Sequence, residues 1–214
     1  MKNKKMLTFG IALMLFLSIT HAQTAEKPII VCTTSAVGSV VESFLGNTAE
    51  VLVLVNPGLC PADYEIRPGF VDAVSKAVAL FKQDIPGESW LTGLLEAAGT
   101  PDLIVVSIPG AYNTPAGAKN YIRGVGGNLS QILGIDFSSK ISEMLKEVDE
   151  VASWMAIQAE TYDASNVKVV GMGWLKSFIE SAGFTVVATY NPPETLSAGA
   201  ITNLLETVQN EVLL

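Results

Sequence analysis

Short apolar runs alternate with amphipathic stretches along most of the chain. Pro28 to Thr33, Val51 to Val55, Leu80-Phe81 and Asp102 to Ser107 predict buried strands, Leu80-Phe81 the weakest of them. Helices are predicted between them. Val37 to Leu45 is ended by Gly46-Asn47. Phe70 to Ala79 carries Val71, Val74 and Val78 on one face. Glu88 to Ala98 places Trp90, Leu91, Leu94 and Leu95 together and is closed by Gly99. Strands alternating with helices at this spacing imply parallel strands joined by right-handed crossovers. Residues 28–108 therefore read as one α/β lobe. Its functional edge is the carboxyl end of the strands.

Beyond it, Ile108 to Pro115 reads as a Pro- and Gly-rich connection. Arg123-Gly124-Val125-Gly126-Gly127 has the look of a phosphate loop, but it follows no strand and lacks the Gly-x-x-x-x-Gly-Lys frame. It reads as a glycine-weakened helix. Asp136 or Ser138 can cap the longest helix, which runs to about Tyr162 with the stripe Ile141, Leu145, Val148, Ala152, Met155 and Ala159. Residues 109–162 are thus a connection and a long linking helix. Val167 to Val170 and Thr185 to Ala188 predict strands, and Trp174 to Ala182 and Ser197 to Val212 predict helices. Residues 163–214 repeat the βα order as a partial second lobe. The expected fold is α/β, with two lobes of parallel βα units joined by one long helix and the second lobe incomplete.

Composition narrows the chemistry. Lys2, Lys4 and Lys5 precede an apolar run from Met6 to Ile19, and Thr20-His21-Ala22 offers a small-residue cleavage site. Residues 1–22 read as a secretory signal peptide, which predicts an exported, periplasmic or extracellular protein. The formal charge is −8, and removing that lysine-bearing leader makes it more negative. This disfavours nucleic acid and anionic membrane surfaces as partners. The one histidine, His21, lies inside the leader. The mature chain then has no Ser-His-Asp triad, Cys-His pair or His-ligated zinc site, and no enzyme is expected. The two cysteines, Cys32 and Cys60, belong to no Cys-x-x-Cys unit, and in an exported protein they can form a disulfide.

The candidate chemistry gathers in the loop Val55 to Gly69, which leaves a predicted buried strand and carries Pro57-Gly58, Cys60, Asp63 and Glu65. This loop resembles that of the metal-ion class of ABC-importer solute-binding proteins, the zinc-uptake component A-like family. The family's loop reads roughly Pro-Gly-x-Asp-Pro-His-x-Tyr-Glu-Pro-x-Pro. Here Pro57-Gly58, Pro61, Tyr64-Glu65 and Pro68 match it, and Cys60 replaces the Asp. Thr33-Thr34-Ser35, the run from Gly87 to Gly99, Gly171-Met172-Gly173-Trp174 and Pro193-Glu194-x-x-Ser197 resemble further segments of the same family.

The resemblance implies a solute-binding component that holds ligand between two lobes and delivers it to an ABC permease in the membrane, as a monomer. The family ligand is a divalent metal ion. Its histidine positions map here to Ala62 or Asp63, to Gly110 and to Met172, so the usual ligands are missing. A hard ion would draw on Asp63 and Glu65, a soft one on Cys60 and Met172; the alternative for Met172 is core packing. The expected ligand site lies between Thr33 and Thr34, the loop bearing Cys60, Asp63 and Glu65, Tyr112 and Asn113, and Met172 and Trp174. The Thr33 and Thr34 hydroxyls either cap the following helix or line that cleft. The alternative function is a reduced ligand-binding or sensor module that binds no metal.

Overall fold

The computed structural model describes residues 27–60, 64–83, 85–110, 112–192 and 195–212. The leader read over residues 1–22 lies outside them, as do Pro61, Ala62, Asp63, Pro193 and Glu194. Four strands, β1 (Ile29–Thr34), β2 (Glu50–Val55), β3 (Ala79–Lys82) and β4 (Ile104–Ser107), form one parallel sheet in the order β2-β1-β3-β4. The short β3 lies inside this sheet, with all of Ala79, Leu80 and Phe81 buried.

Successive side chains of a strand point to opposite faces, and here both faces are covered. Ile30, Cys32, Ala79, Phe81 and Val106 point to one side, onto helices α1 (Ser35–Leu45) and α4 (Pro115–Leu133). Val31, Leu80 and Leu54 point to the other, where Val74 of helix α2 (Pro68–Lys76) and Leu91 and Leu94 of helix α3 (Leu91–Ala98) close over them. Burial on both faces explains the apolar runs of the inner strands β1 and β3, while on the edge strand β4 Ile104 and Val105 stay exposed.

The run Arg123 to Gly127 lies within α4, so it is helical and no phosphate loop. The helix expected from Glu88 instead begins at Leu91, after a separate 3-10 turn over Pro86–Glu88. Glu88 faces back toward the sheet rather than starting the helix.

The long helix α5 (Ser138–Thr161) has the expected bounds. All six residues of its predicted stripe are partly buried. Its first half packs Ile141, Leu145 and Val148 onto the core of the first sheet, with Phe137 edge-on to Phe44 at a ring separation of 5.6 Å. At its start the Asp136 carboxylate accepts from the Ser138 N–H at 2.9 Å. The Ser138 hydroxyl, with that backbone bond adding to it, holds the exposed Asp136 carboxyl below the usual range.

The last turns of α5 meet a second parallel sheet of β5 (Lys168–Met172) and β6 (Thr185–Tyr190). Helices α6 (Lys176–Ser181) and α7 (Ala198–Thr207) follow these strands, and a π turn over Val208–Val212 extends α7. Gly183 marks the contact with α5. Its φ is +94°, and a Cβ there would lie 2.5 Å from the Ala159 Cβ, so only glycine lets the chain turn this close to the helix. The α5 helix thus joins both sheets. Beside the stripe, Val151, Trp154 and Ile157 are exposed apolar residues that the stripe read from the sequence does not include. Among the described residues no helix is long and apolar enough to cross a membrane.

Candidate functional site

The order β2-β1-β3-β4 reverses direction between β1 and β3. In open parallel sheets the crevice beyond the strands' carboxyl ends at such a reversal is where ligands bind. Thr33 and Thr34 end β1 at this point, and Gln83 follows β3 directly. Their side chains bridge the gap. The buried Thr33 hydroxyl donates to Glu88 Oε1 and accepts from the Gln83 N–H at 3.0 Å. The same Glu88 oxygen accepts from Gln83 N–H at 3.1 Å, and Oε2 accepts from Ile85 N–H at 3.3 Å. Thr34 donates to Gln83 Oε1, and Gln83 Nε2 donates to the Tyr112 hydroxyl at 2.5 Å. A continuous polar chain therefore runs from the sheet edge to the segment before α4.

This geometry decides the two readings of the threonines as far as capping goes. Thr34 occupies the N-cap position of α1, yet neither hydroxyl makes a capping bond. Partners 49 and 55 residues away take the hydroxyls instead.

Above the sheet edge opens a cleft of about 600 Å³. Gln83, Ile85, Ile108, Pro109, Gly110, Tyr112 and Asn113 line one side, and Trp174 and Leu175, from the turn after β5, line the other. Asn113 Nδ2 donates across it to the Trp174 carbonyl at 3.2 Å. The Asn113 Oδ1 is shielded and has no hydrogen-bond partner among the described residues.

Of the sequence-derived site residues, Tyr112, Asn113, Trp174 and the Gly110 position share this cleft. Thr33 and Thr34 form its floor through Gln83. Cys60 and Glu65 are exposed in the loop after β2, an edge strand, and do not line it. Met172 ends β5 opposite Tyr190, half-buried, and is also absent from the lining. Tyr64 of the same loop packs on Trp90, ring centroids 4.1 Å apart, and anchors the loop to α3. Burial raises the Tyr64 phenol above its ordinary value, with Arg67 opposing. Gln83 and Glu88 were not singled out from the sequence. The rule that could have found Gln83 is its place directly after a strand at the sheet's reversal point.

The cysteines are both free. Cys32 is buried on the α1 and α4 side of the sheet, and Cys60 is exposed beyond the edge strand. The expected disulfide is therefore absent: the two thiols belong to different environments. Burial, with Glu42 adding to it, pushes the Cys32 thiol up to about 12. A thiol reagent on unreduced native protein at neutral pH is expected to modify Cys60 quickly and Cys32 only after denaturation, because the thiolate is the nucleophile. Failure to find two thiols in denaturant would contradict the structure.

The described residues contain no cluster of three or more His, Cys, Asp or Glu side chains able to hold a metal ion. The fold and cleft define a class: α/β proteins with two parallel-sheet lobes, joined by a long helix, that face each other across a crevice. The chain belongs to the family of the periplasmic zinc-uptake complex component A, whose model matches residues 30–213. Solved structures of similar fold include the manganese complex of the solute-binding protein FpvC from Pseudomonas aeruginosa, at 14% identity and TM-score 0.70, covering 86% of this chain and 76% of that one. A crystal structure of ZnuA matches at 16% identity and TM-score 0.69, covering 87% and 79%. The Zn(II)-bound ZnuA-like domain of Streptococcus pneumoniae AdcA matches at 19% identity and TM-score 0.65, covering 86% and 75%. No curated protein sequence matches the chain significantly.

Proposed function

We propose that the chain is the extracytoplasmic solute-binding component of an ABC importer, exported and monomeric, without enzymatic activity. It holds a solute between its lobes and hands it to a membrane permease. The observation that carries this reading is the cleft itself. It sits at the β1–β3 reversal and takes its far wall from the turn after β5 of the second sheet. A ligand there touches both lobes, so its presence is readable on the outer surface of each.

In this reading Tyr112, Asn113 and Trp174 contact the solute. Thr33 and Thr34 hold the floor through Gln83, while Cys60, Glu65 and Met172 stay outside the lining. The metal ion bound by relatives such as FpvC and AdcA would be cargo rather than a resident cofactor. This chain's counterparts of the family's histidines are Ala62 or Asp63, Gly110 and Met172, and they leave that cargo poorly held. A hard ion needs several oxygens and a borderline one needs imidazole or thiolate.

Photo-crosslinking in intact cells tests the reading, with the crosslinker at Leu59 or Lys176, both exposed. Crosslinks to the membrane subunit of an ABC importer are expected. Crosslinks confined to soluble proteins would contradict it.

A further inference from the structure

The two halves of α5 differ in character. The first carries Lys140, Glu143, Lys146, Glu147, Asp149 and Glu150; from Val151 to Ala159 no charged residue follows. α4 covers the first half, where its Ile122, Val125 and Leu129 share a core with Ile141, Leu145 and Val148. The stripe continues through Val151, Met155, Gln158 and Tyr162 at helical spacing. This second half stays open, with Trp154 and Tyr162 61% and 75% exposed. The element order accounts for the difference. β5, α6, β6 and α7 repeat the order β1, α1, β2 and α2, but among the described residues of the second lobe α4 has no counterpart.

Two grooves of about 430 and 360 Å³ run along the open half. Trp154, Tyr162, Val167 and Phe184 line the first. Pro115 and Ala118 of α4, with Val148 and Val151, line the second, so it continues the α4–α5 contact. Met155 and Phe178 belong to both, and the grooves are therefore continuous. The rings of Trp154, Tyr162, Phe178 and Phe184 leave roughly 400 Å² open, from their exposures and about 200 Å² for a whole aromatic side chain. Contiguous apolar patches beyond a few hundred Å² mark interaction sites, and interface cores are poor in charge and rich in aromatic residues and methionine.

Charge selects the occupant. A second copy laid antiparallel on this stripe and centred on Met155 would set Glu147 of each chain against Asp163 of the other, and each chain carries −8. Like charges facing each other across an interface are costly. Glu147 lines the second groove, and Asp163 follows the end of α5, where the helix's last carbonyls add negative potential. Basic groups about 24 Å apart, at 1.5 Å per residue, would meet both acids. We propose that the open half of α5 is a docking groove for an amphipathic helix of another protein, with an apolar stripe and a basic residue at each end. This goes beyond the solute reading and does not need the cleft to hold a ligand.

Three peptides of about 18 residues, long enough to span both acids, test it by calorimetry. The first has Leu at helical spacing, Ala and Gln between, and Lys at both ends. The second has the same residues with the Leu positions scattered, and the third has Glu in place of Lys. The indole N–H signal of Trp154 in the ¹⁵N-labelled protein, identified by its loss in Trp154→Ser, reports where they bind. The first peptide is expected to bind one-to-one, to shift that signal, and to bind at least tenfold tighter than either other peptide. Trp154→Ser should weaken it at least tenfold, since a central tryptophan carries much of such an interface. Leu205→Ser, on α7 outside both grooves, should leave it unchanged; both side chains are mostly exposed, so both variants keep the fold. Equal binding of the scattered peptide, or no binding of any, would overturn the helix groove. Equal binding of the Glu-ended peptide would overturn the basic ends. Binding that spares the Trp154 signal, or is weakened equally by Leu205→Ser, would overturn the assigned place. A dimer of the protein alone in sedimentation, dissolved by Trp154→Ser, would give this face to a second copy and overturn the proposal.

Discussion

Glu88→Ala is expected to lower the stability of the protein by about 3 kcal/mol and to weaken ligand binding in the cleft. Glu88 is only 8% exposed, and its carboxylate collects the Thr33 hydroxyl and the N–H groups of Gln83 and Ile85. Truncation leaves these donors without that acceptor in a shielded place. An unsatisfied buried polar group costs about 1–3 kcal/mol, and a bond to a charged group is worth about 1.5–3 kcal/mol. Water entering the vacated space would recover part of this. Glu88→Gln keeps the volume but turns an NH₂ toward N–H and O–H donors, so about 1–2 kcal/mol should still be lost. Urea denaturation checks both values. The functional effect follows from geometry: without the carboxylate, only the Thr33 and Thr34 hydroxyls hold Gln83 against β1, and the chain from Thr34 through Gln83 to Tyr112 is less firmly placed. A Glu88→Ala protein as stable as the parent would show that the floor of the site is held by something else.

The second large effect concerns the glycines of α4. A Cβ on Gly126 would lie 2.7 Å from Ile141 Cγ1 and 2.8 Å from Phe44 Cζ. These neighbours belong to different helices and to one core, so neither can yield without disturbing the other. Gly126→Val should cost about 3 kcal/mol, at the upper end of overpacking penalties. Gly127 is a control one residue away, where a Cβ would meet nothing within 4 Å. Gly127→Ala should therefore stabilise by about 0.5–1 kcal/mol, the helix-propensity gain of alanine over glycine. Opposite signs at adjacent positions are the signature of close helix packing. Equal destabilisation by both would instead mean that α4 depends on glycine for its backbone path. Thermal or urea unfolding of the two variants decides it.

That pair also marks what the sequence could tell. The glycine run reads as a weak helix, which it is, but the helices that press on Gly126 begin far away in the chain and leave no local signal. Strand existence was legible because β1 and β2 are unbroken apolar runs bounded by polar residues, the mark of burial on both faces. β3 was faint since only Leu80 and Phe81 stand out, though the sheet order puts it inside the sheet. The stripe of α5 was fully legible from helical periodicity. Its exposed Trp154 and Ile157 break that pattern.

The site was legible in part, for the same reason. Thr33 and Thr34 sit where a helix cap is expected, and the local reading favours capping. The competing partners, Glu88 and Gln83, are brought there by the fold alone. Glu88 looks like the first residue of an amphipathic helix and is in fact the acceptor that ties two strand ends together. Tyr112, Asn113 and Trp174 came from the family resemblance, and they share the cleft. A bond between Cys32 and Cys60 was suggested by their places near the carboxyl ends of adjacent strands in an exported chain. Period-two alternation turns Cys32 inward, however, and Cys60 lies well past the end of its strand.

The chain keeps the family's fold, and the proposal is that it does so without the side chains that hold a metal ion. Calorimetric titration of zinc, manganese and nickel into metal-stripped protein tests it directly. In the proposed mapping, the counterparts of the family's histidines, Ala62 or Asp63, Gly110 and Met172, offer at most one carboxylate, a backbone without a side chain, and a thioether, and a lone carboxylate competes weakly with the ion's own hydration. The predicted result is no one-to-one isotherm tighter than about micromolar for any of the three metals, against the several-imidazole sites in which zinc is held at about 2.0–2.1 Å. A one-to-one nanomolar zinc isotherm that disappears in Asp63→Ala would contradict the account, for it would mean that oxygen and sulfur had rebuilt the site.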